Sequence, residues 1–151
     1  MANDRLVINF GHMLGPRSLE FLQEKLGDFD YVHHRLKIDF DLPLLDQIVK
    51  AVSAVEGRAC RPLESYGGGT RIYVVPPGMT DPALLLQIEI TGRTGAFPNL
   101  LLMRRDDGEF VVYDIADGEK VKLLARGRRK PQQLGVQSWE AQQKKLPYTG
   151  P

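Results

Sequence analysis

Apolar and polar residues alternate with two different periods along the first sixty positions. Residues 5–10 and 31–40 alternate at every second position, which predicts two strands. Residues 17–26 and 44–57 instead repeat apolar side chains at spacings of three and four, and each stretch follows a proline. This spacing predicts two amphipathic helices, because proline is well tolerated in the first turn of a helix.

The second half continues in the same order. Residues 71–75 predict a third strand, and a pair of prolines ends it. A helix follows, which we expect to be capped by Thr80 or Asp81 and to close near Gly92 or Gly95.

A hairpin completes the pattern. Residues 100–104 and 109–115 are apolar stretches on either side of an Asp-Gly turn. Strands that alternate with helices predict crossover units. We therefore expect an α/β fold: a small Rossmann-like domain with a mainly parallel sheet, helices on both faces and a C-terminal hairpin. The glycine-rich stretch 65–70 is expected to be a mobile loop.

The composition is that of one ordinary globular domain. No apolar run in the 151 residues approaches the roughly 18 needed to span a bilayer. The first residues lack a basic region followed by an apolar one, so we expect no signal peptide. The single cysteine, Cys60, excludes an internal disulfide and a cysteine-rich zinc site. We expect a cytoplasmic protein with no membrane association, no metal and no cofactor.

The net charge of +1 hides an asymmetry along the chain. Residues 119–151 contain eight Lys and Arg against two Asp and Glu, whereas residues 1–118 are acidic overall. We predict a ligand-binding domain over residues 1–118 and a basic tail over residues 119–151, partly helical or disordered. The basic cluster at 125–133 is consistent with phosphate binding and equally with a solvated tail.

Candidate chemistry lies after the first and third strands. Ligands of open parallel sheets bind outside the carboxyl ends of the strands. The segments at 9–16 and 76–82 follow such ends, contain glycine and lead into helices, whose N-termini favour phosphate. Glycine and proline are also ordinary turn residues, so a purely structural role explains the same composition.

Three polar residues stand out near these segments. His12 lies in the first loop, where it suits phosphate binding, base stacking or proton transfer, and where capping a backbone group is the alternative. Arg93 and Thr94 stand between glycines, so Arg93 could clamp a phosphate or simply complement the end of a helix. For His33 and His34 we favour structural roles.

Motifs in these segments resemble a family of small CRISPR-associated proteins from type III systems. The family is Rossmann-like and related to the CARF domains that sense cyclic oligoadenylates. Its opening pattern is Asn-Phe-Ser-His-x-Leu-Thr-Pro, followed by Pro-Pro-Gly and by Gly-Arg-x-Gly-x-Phe-Pro. The matching positions fall in order within residues 6–105: Asn9, Phe10, His12, Leu14, Pro16, Pro76, Pro77, Gly78, Gly92, Arg93, Gly95, Phe97 and Pro98.

The resemblance implies a cytoplasmic homodimer that binds cyclic tetra-adenylate across its two-fold axis, with higher assembly around the ligand possible and no role for DNA. It implies either sequestration of this second messenger or metal-independent opening of the ring. The expected ligand-binding residues are Asn9, Phe10, Gly11, His12, Met13, Leu14, Pro76, Pro77, Gly78, Met79, Thr80, Arg93 and Thr94. His12 is the candidate catalytic residue.

The sequence departs from the family pattern at two positions. Gly11 and Gly15 stand where the family has serine and threonine. Losing two hydroxyls weakens catalysis more than binding, so we favour a protein that binds cyclic tetra-adenylate and lowers its free level. A metal-independent ring nuclease is the first alternative. The second is a non-catalytic interaction module whose basic tail binds RNA.

Overall fold

The computed structural model describes residues 3–130, which form one five-stranded sheet and four α-helices. The strands and helices in chain order are β1 (Leu6–Asn9), α1 (Pro16–Leu26), β2 (Asp30–His33), α2 (Leu44–Ala59), β3 (Ile72–Val75), α3 (Thr80–Thr94), β4 (Asn99–Asp106), β5 (Glu109–Ala116) and α4 (Gly118–Arg126). The predicted basic tail lies mostly at 131–151, outside the described residues.

The sheet has the strand order β2-β1-β3-β4-β5. The first four strands are parallel, and β5 returns antiparallel to β4 as the second arm of a hairpin. Strand β1 lies at the point where the order reverses, because the chain leaves it to pair with β2 on one side and returns to pair β3 on the other. The α/β class and the mainly parallel sheet are therefore as predicted.

Alternate residues of β1 enter two separate cores. Leu6 and Ile8 pack with side chains of α2 and α3, while Val7 packs with Leu22 of α1 and with Leu101 of β4. All of these side chains are buried. Helix α1 thus covers one face, and α2 and α3 cover the other. Right-handed crossovers require this arrangement when successive strands are added in opposite directions.

The second strand is shorter than predicted. It ends at His33, although the alternation of apolar and polar residues continues to position 40. The N–H groups of His34 and Leu36 still donate to the carbonyls of Asn9 and Phe10, at 2.9 and 3.2 Å. Beyond Phe10 the neighbouring chain turns away, so the alternating stretch has no backbone to pair with.

The glycine-rich stretch 65–70 is not the predicted loose loop. Two short 3-10 turns occupy Leu63–Ser65 and Gly67–Gly69, and Tyr66 between them is completely buried. Three successive glycines adopt positive φ, which lets the chain fold tightly around the tyrosine ring. The Arg61 guanidinium stacks on that ring, 3.9 Å from its centroid.

Helix α4 forms the beginning of the predicted basic tail. Asp117 caps it by accepting a hydrogen bond from the N–H of Lys120 at 3.0 Å. The Glu119 carboxylate accepts from the N–H of Phe97 at 2.8 Å, which ties α4 to the segment before β4. No helix within residues 3–130 is long and apolar enough to cross a membrane.

Asp30, the first residue of β2, anchors the amino end of the sheet. Its carboxylate accepts hydrogen bonds from the backbone and the side-chain N–H groups of Asn3, both at 3.0 Å, and from the Tyr66 hydroxyl at 2.8 Å. Burial raises the pKa of Asp30, but these hydrogen bonds, together with the charge of Arg61, leave the pKa below its usual value.

Replacing Asp30 with asparagine is expected to cost about 1–2 kcal/mol of stability at neutral pH, because hydrogen bonds to the charged carboxylate are lost. A lowered folded-state pKa means that this stabilisation is complete above the unfolded-state pKa and disappears as pH falls below about 4. Urea unfolding from pH 7 to pH 3 should show the difference between wild type and Asp30→Asn shrinking. Asp41→Asn, at an exposed aspartate, is the control. A gap for Asp30→Asn that is constant across this range would contradict the assignment.

Candidate functional site

The candidate site is a cleft at the carboxyl ends of β1 and β3. At this reversal of strand order, the loops after the two strands lead to helices on opposite faces of the sheet: α1 follows β1, and α3 follows β3. Such a divergence opens a crevice, which is where open α/β sheets bind ligands. The cleft has a volume of about 390 Å³.

Two kinds of wall line the cleft. The loops after β1 and β3 contribute Gly11, His12, Met13, Val75, Pro76 and Gly78. The hairpin contributes Leu101, Leu102, Met103, Phe110 and Tyr113. The first wall offers backbone groups and one imidazole, whereas the second is apolar and aromatic. An apolar cleft with a few polar groups at one side is the usual form of a small-molecule site.

Asn9 holds the first loop in place. Its side chain is completely buried at the end of β1. The amide Nδ2 donates to the carbonyl of His12 at 2.7 Å and to the Tyr31 hydroxyl at 3.1 Å, and Oδ1 accepts from the N–H of Gly11 at 2.9 Å. These partners occupy the amide, so Asn9 shapes the loop rather than facing a ligand.

A histidine outside the expected site also supports this loop. The ring Nε2 of His33 lies 2.9 Å from the carbonyl oxygen of Gly11. Both polar groups of the Gly11 backbone are therefore bonded within the protein. Among the residues that the structure describes, the N–H groups of His12, Met13 and Gly78 donate to no protein acceptor. Free amides at the end of a strand suit an anionic ligand.

His12 and Met13 are the most accessible side chains of the loop. His12 is exposed, and Met13 is 80% exposed at the mouth of the cleft. The predicted position of His12 at the ligand edge of the sheet is therefore found in the structure. Its imidazole forms no hydrogen bond within residues 3–130, so no neighbour fixes its orientation.

Several expected ligand-binding residues are part of the cores instead. Phe10 and Leu14 are buried in the two hydrophobic clusters. Pro77 is also buried, and Met79 packs against the cluster beneath α2 and α3. Thr80 is exposed as the first residue of α3. These residues position the loops, and only their neighbours Gly11, His12, Met13, Pro76 and Gly78 reach the cleft.

Arg93 and Thr94 do not lie at the cleft. They end α3, at the opposite edge of the sheet from the carboxyl ends of the strands. The Arg93 guanidinium donates to the Ser53 hydroxyl at 3.0 Å and forms ion pairs with Glu56 and Glu89, both at 3.6 Å. Its role is to join α2 to α3.

Thr94 has a local role at the end of α3. Its hydroxyl donates to the carbonyl of Ile90 at 3.0 Å and accepts from the N–H of Ala96 at 3.2 Å. Gly95 beyond it adopts positive φ, as expected at the end of a helix.

The N-terminus of α1 already has charged neighbours within the protein. Arg17 in its first turn pairs with Asp106 and Glu109 at the tip of the hairpin. An added Cβ at Gly15 would lie 3.8 Å from a carboxylate oxygen of Glu109. A carboxylate near a helix N-terminus is stabilised by the helix dipole. The predicted phosphate attraction of this helix end is therefore partly cancelled by Glu109.

Sequence reasoning did not include the aromatic wall of the cleft. Phe110 and Tyr113 of β5 are 57% and 42% exposed and lie side by side on this wall. Arg105 and Arg104 stack on them, each 5.0 Å from the ring centroid. The one signal available in the sequence is a pair of aromatic residues on the second arm of the predicted hairpin, about a hundred residues from His12.

The cleft offers stacking surfaces, free backbone amides and one imidazole. These groups can hold a flat heteroaromatic base and an anionic group beside it. Residues 3–130 contain no cluster of three or more His, Cys, Asp or Glu arranged to hold a metal ion.

Replacing Asn9 with alanine is expected to destabilise the protein by about 2 kcal/mol, because it leaves buried polar groups of the first loop without partners. Asn99→Ala is a matched control, since that buried amide donates to the carbonyl of Thr70 at the other end of the sheet. Both variants should lose stability in urea unfolding, but only Asn9→Ala should shift the NMR signals of His12 and Met13. Equal shifts in the two variants would contradict this role of Asn9.

No protein-family model matches this chain, and neither a curated protein nor a solved structure is significantly similar to it. We therefore base the function on the geometry of the cleft and on the motifs in the sequence.

Proposed function

We propose that this protein binds cyclic oligoadenylate, with cyclic tetra-adenylate as the preferred ring, and lowers the free level of this second messenger. The observation that carries the proposal is the pairing of exposed aromatic rings with unbonded backbone amides across one cleft at the reversal of strand order. The motif resemblance to CARF-related proteins supports the choice of ligand. On this resemblance, we propose that the domain is CARF-like.

The two walls of the cleft match the two parts of a nucleotide. An adenine base stacks on Tyr113 or Phe110, a contact worth about 1–3 kcal/mol per base. Its phosphate then faces the amides of His12 and Gly78 on the other wall. His12 adds a donor on the same side of the cleft.

One cleft is too small for a whole tetranucleotide ring. Its volume of about 390 Å³ is near the lower end of the range of about 300–1,000 Å³ found for sites of drug-sized ligands. We propose that two copies of the chain enclose the ring between their clefts. A two-fold dimer presents the same residues to each half of a ring that has two-fold symmetry.

An apolar patch on α2 and α3 supports pairing with a second copy. Leu45 and Val49 on α2 and Leu84 and Ile88 on α3 are 62%, 44%, 60% and 67% exposed. The patch starts in the first turns of both helices, at the same edge of the sheet as the cleft. We propose that two copies bury this patch with their strands running in the same direction, because that arrangement places both clefts on one side of the dimer.

Ring opening is the second candidate function, and the exposure of His12 at the cleft favours it. In this reaction a ribose 2′-hydroxyl attacks the adjacent phosphorus. A bond from the 2′-oxygen to phosphorus forms as the hydroxyl proton passes to water, the bond to the 5′-oxygen breaks, and that oxygen takes up a proton. His12 could supply the proton. No residue of the described chain orients the imidazole, so binding remains the favoured function.

Calorimetry with cyclic tetra-adenylate tests the binding function. We expect one ring bound per two chains, and we expect chromatography of the bound ligand to recover it intact. His12→Ala should weaken binding several-fold, because one donor to phosphate is lost. Lys25→Ala, at an exposed side chain on α1 away from the cleft, is the control.

Linear products formed over many turnovers would overturn sequestration in favour of ring opening. In that case, loss of cleavage with retained affinity in His12→Ala would assign proton transfer to the imidazole. Absence of any binding to cyclic tetra-adenylate would contradict both functions.

A second prediction concerns the two glycines where the family has hydroxyl side chains. An added Cβ at Gly11 would have only ordinary contacts, 3.4 Å from the carbonyl of Pro76 and 3.5 Å from Oδ1 of Asn9. Gly15 has φ −80°, so neither position requires glycine. The double variant Gly11→Ser, Gly15→Thr should therefore fold, with stability unchanged or raised by up to about 1 kcal/mol.

We expect the double variant to open the ring at a measurable rate, since the hydroxyls restore hydrogen bonds next to the reacting phosphate. The double variant Gly57→Ser, Gly92→Ser is the control, because it adds two hydroxyls on α2 and α3 away from the cleft, with no neighbour within 4 Å of either Cβ. A double variant that binds the ring but leaves it as intact as wild type does would show that these hydroxyls do not separate binding from cleavage.

A further inference from the structure

A second cleft opens on the other side of the first loop, between α2 and the chain that follows β2. Its volume is about 400 Å³. Ala51 and Ala54 form its floor on α2, where their short side chains leave room. We name it the basic cleft, because its rim contains Arg35, Lys37 and Lys50.

The cations of the basic cleft form no ion pair with the part of the chain that the structure describes. Within residues 3–130, Arg35, Lys37 and Lys50 form no ion pair, and no Asp or Glu lines the cleft. All three side chains are exposed. A concave surface with three unpaired positive charges attracts an anion more strongly than isolated surface lysines do.

Further positive charge surrounds this cleft. The Arg58 guanidinium, one helical turn beyond Ala54, donates to the carbonyl of His33 at 2.7 Å. Burial lowers the pKa of His34, which lines the cleft, and the charges of Arg58 and His33 lower it further. The neutral imidazole therefore adds a hydrogen-bonding group without adding to the repulsion among the cations.

The basic cleft is joined directly to the loop of the first site. The N–H of Leu36, between Arg35 and Lys37, donates to the carbonyl of Phe10 at 3.2 Å. The ring of His33 lies against the carbonyl of Gly11. Adjacent paired chains are about 5 Å apart, so Arg35 and Lys37 start within about 10 Å of Gly11. One ligand a few nucleotides long can therefore reach both clefts.

The first cleft needs such a partner because no Lys or Arg lines it. Every nucleotide of an oligoadenylate brings one negative charge. We propose that the basic cleft is a phosphodiester-binding subsite, in which Arg35, Lys37 and Lys50 hold the sugar-phosphate backbone of an oligoadenylate whose base stacks in the first cleft. The proposal rests on the proposed function for the identity of the base, and on the basic cleft alone for the phosphodiester.

Arg104 and Arg105 are the other cations that could bind the phosphodiester, because they stack on the aromatic wall of the first cleft. Their surroundings are already acidic. Asp106 and Glu109 lie at the same hairpin tip. The hydrogen bond and the charge of Arg17 lower the pKa of Asp106, and the charge of Arg104 lowers it further. We therefore assign the contacts to the sugar-phosphate backbone to the basic cleft, and we test variants of the lysines and of these two arginines.

The experiment measures affinity for cyclic tetra-adenylate and for linear tetra-adenylate at about 50, 100 and 200 mM salt. The double variant Lys37→Gln, Lys50→Gln should bind at least tenfold more weakly than wild type at the lowest salt concentration. It should also reduce the slope of log affinity against log salt by about 1.4, because each phosphate contact on a single strand contributes about 0.7. The matched control is Lys25→Gln, Lys120→Gln, which removes the same charge from exposed positions elsewhere and should change neither quantity.

The outcomes separate this proposal from the proposed function. If Lys37→Gln, Lys50→Gln loses affinity for the cyclic ligand, the subsite binds the ring. If it loses affinity for the linear ligand alone, the subsite binds an open oligoadenylate. The subsite is overturned if the salt slope of the Lys37→Gln, Lys50→Gln variant equals that of wild type. It is also overturned if the control loses as much affinity, or if Arg104→Gln, Arg105→Gln loses affinity and the lysine variant does not.

Wild type that binds neither oligoadenylate would contradict the proposed function. Inorganic tripolyphosphate then serves as the probe of the basic cleft. Binding that the Lys37, Lys50 variant loses supports an anion subsite without the adenylate, and absence of binding by wild type overturns the subsite as well. Equal thermal unfolding midpoints of all variants check that folding is unaffected.

Discussion

The reversal of strand order beside β1 is the constraint on which the rest of this molecule depends. Because β1 pairs with β2 on one side and β3 on the other, it is one of the two inner strands of the parallel part of the sheet. Its following loop must turn toward α1, while the loop after β3 turns toward α3. The crevice between them is a consequence of chain direction and needs no special residue.

Asn9 converts that crevice into a defined surface. A loop that leaves a buried strand exposes backbone groups that need partners, and one buried amide bonds to Gly11, His12 and Tyr31 together. The cost is that the N–H of Gly11 is no longer available to a ligand. The amides of His12 and Met13 remain available because Asn9 fixes the loop around them without bonding to their N–H groups.

In the proposed function, the two clefts divide the requirements of nucleotide binding between them. Among the described residues, the first has aromatic and aliphatic walls without Lys or Arg, and the second has three cations without an ion pair around an alanine floor. Bases and phosphates have opposite demands on solvent, since stacking gains from excluding water whereas an anion needs polar partners. Separate surfaces on either side of one loop meet both demands without burying an unpaired charge.

The sequence predicted the parts of this arrangement that local periodicity controls. The first strand and the first helix were found nearly as expected, because side-chain spacing decides which face is buried. The length of β2 depended on where the neighbouring chain turns, which no local pattern records. No local pattern records the place of Phe110 in the cleft either, because it depends on β5 pairing with β4. Nor does one record the role of Arg93, because its carboxylate partners lie on two helices.

The state of His12 is the strongest physical argument for binding over cleavage. Proton transfer is efficient when a base is held within hydrogen-bonding distance of the reacting atom, and enzymes usually fix a catalytic imidazole through its second nitrogen. His33 has such a contact, to the carbonyl of Gly11, but its role is to support the loop. His12 has none within the described residues, so no hydrogen bond fixes the orientation of its ring.

An imidazole without a fixed orientation can still donate to a phosphate, whereas ring opening requires the 2′-hydroxyl, the phosphorus and the leaving oxygen to be aligned. The missing orienting contact is therefore the reason that we propose binding before cleavage.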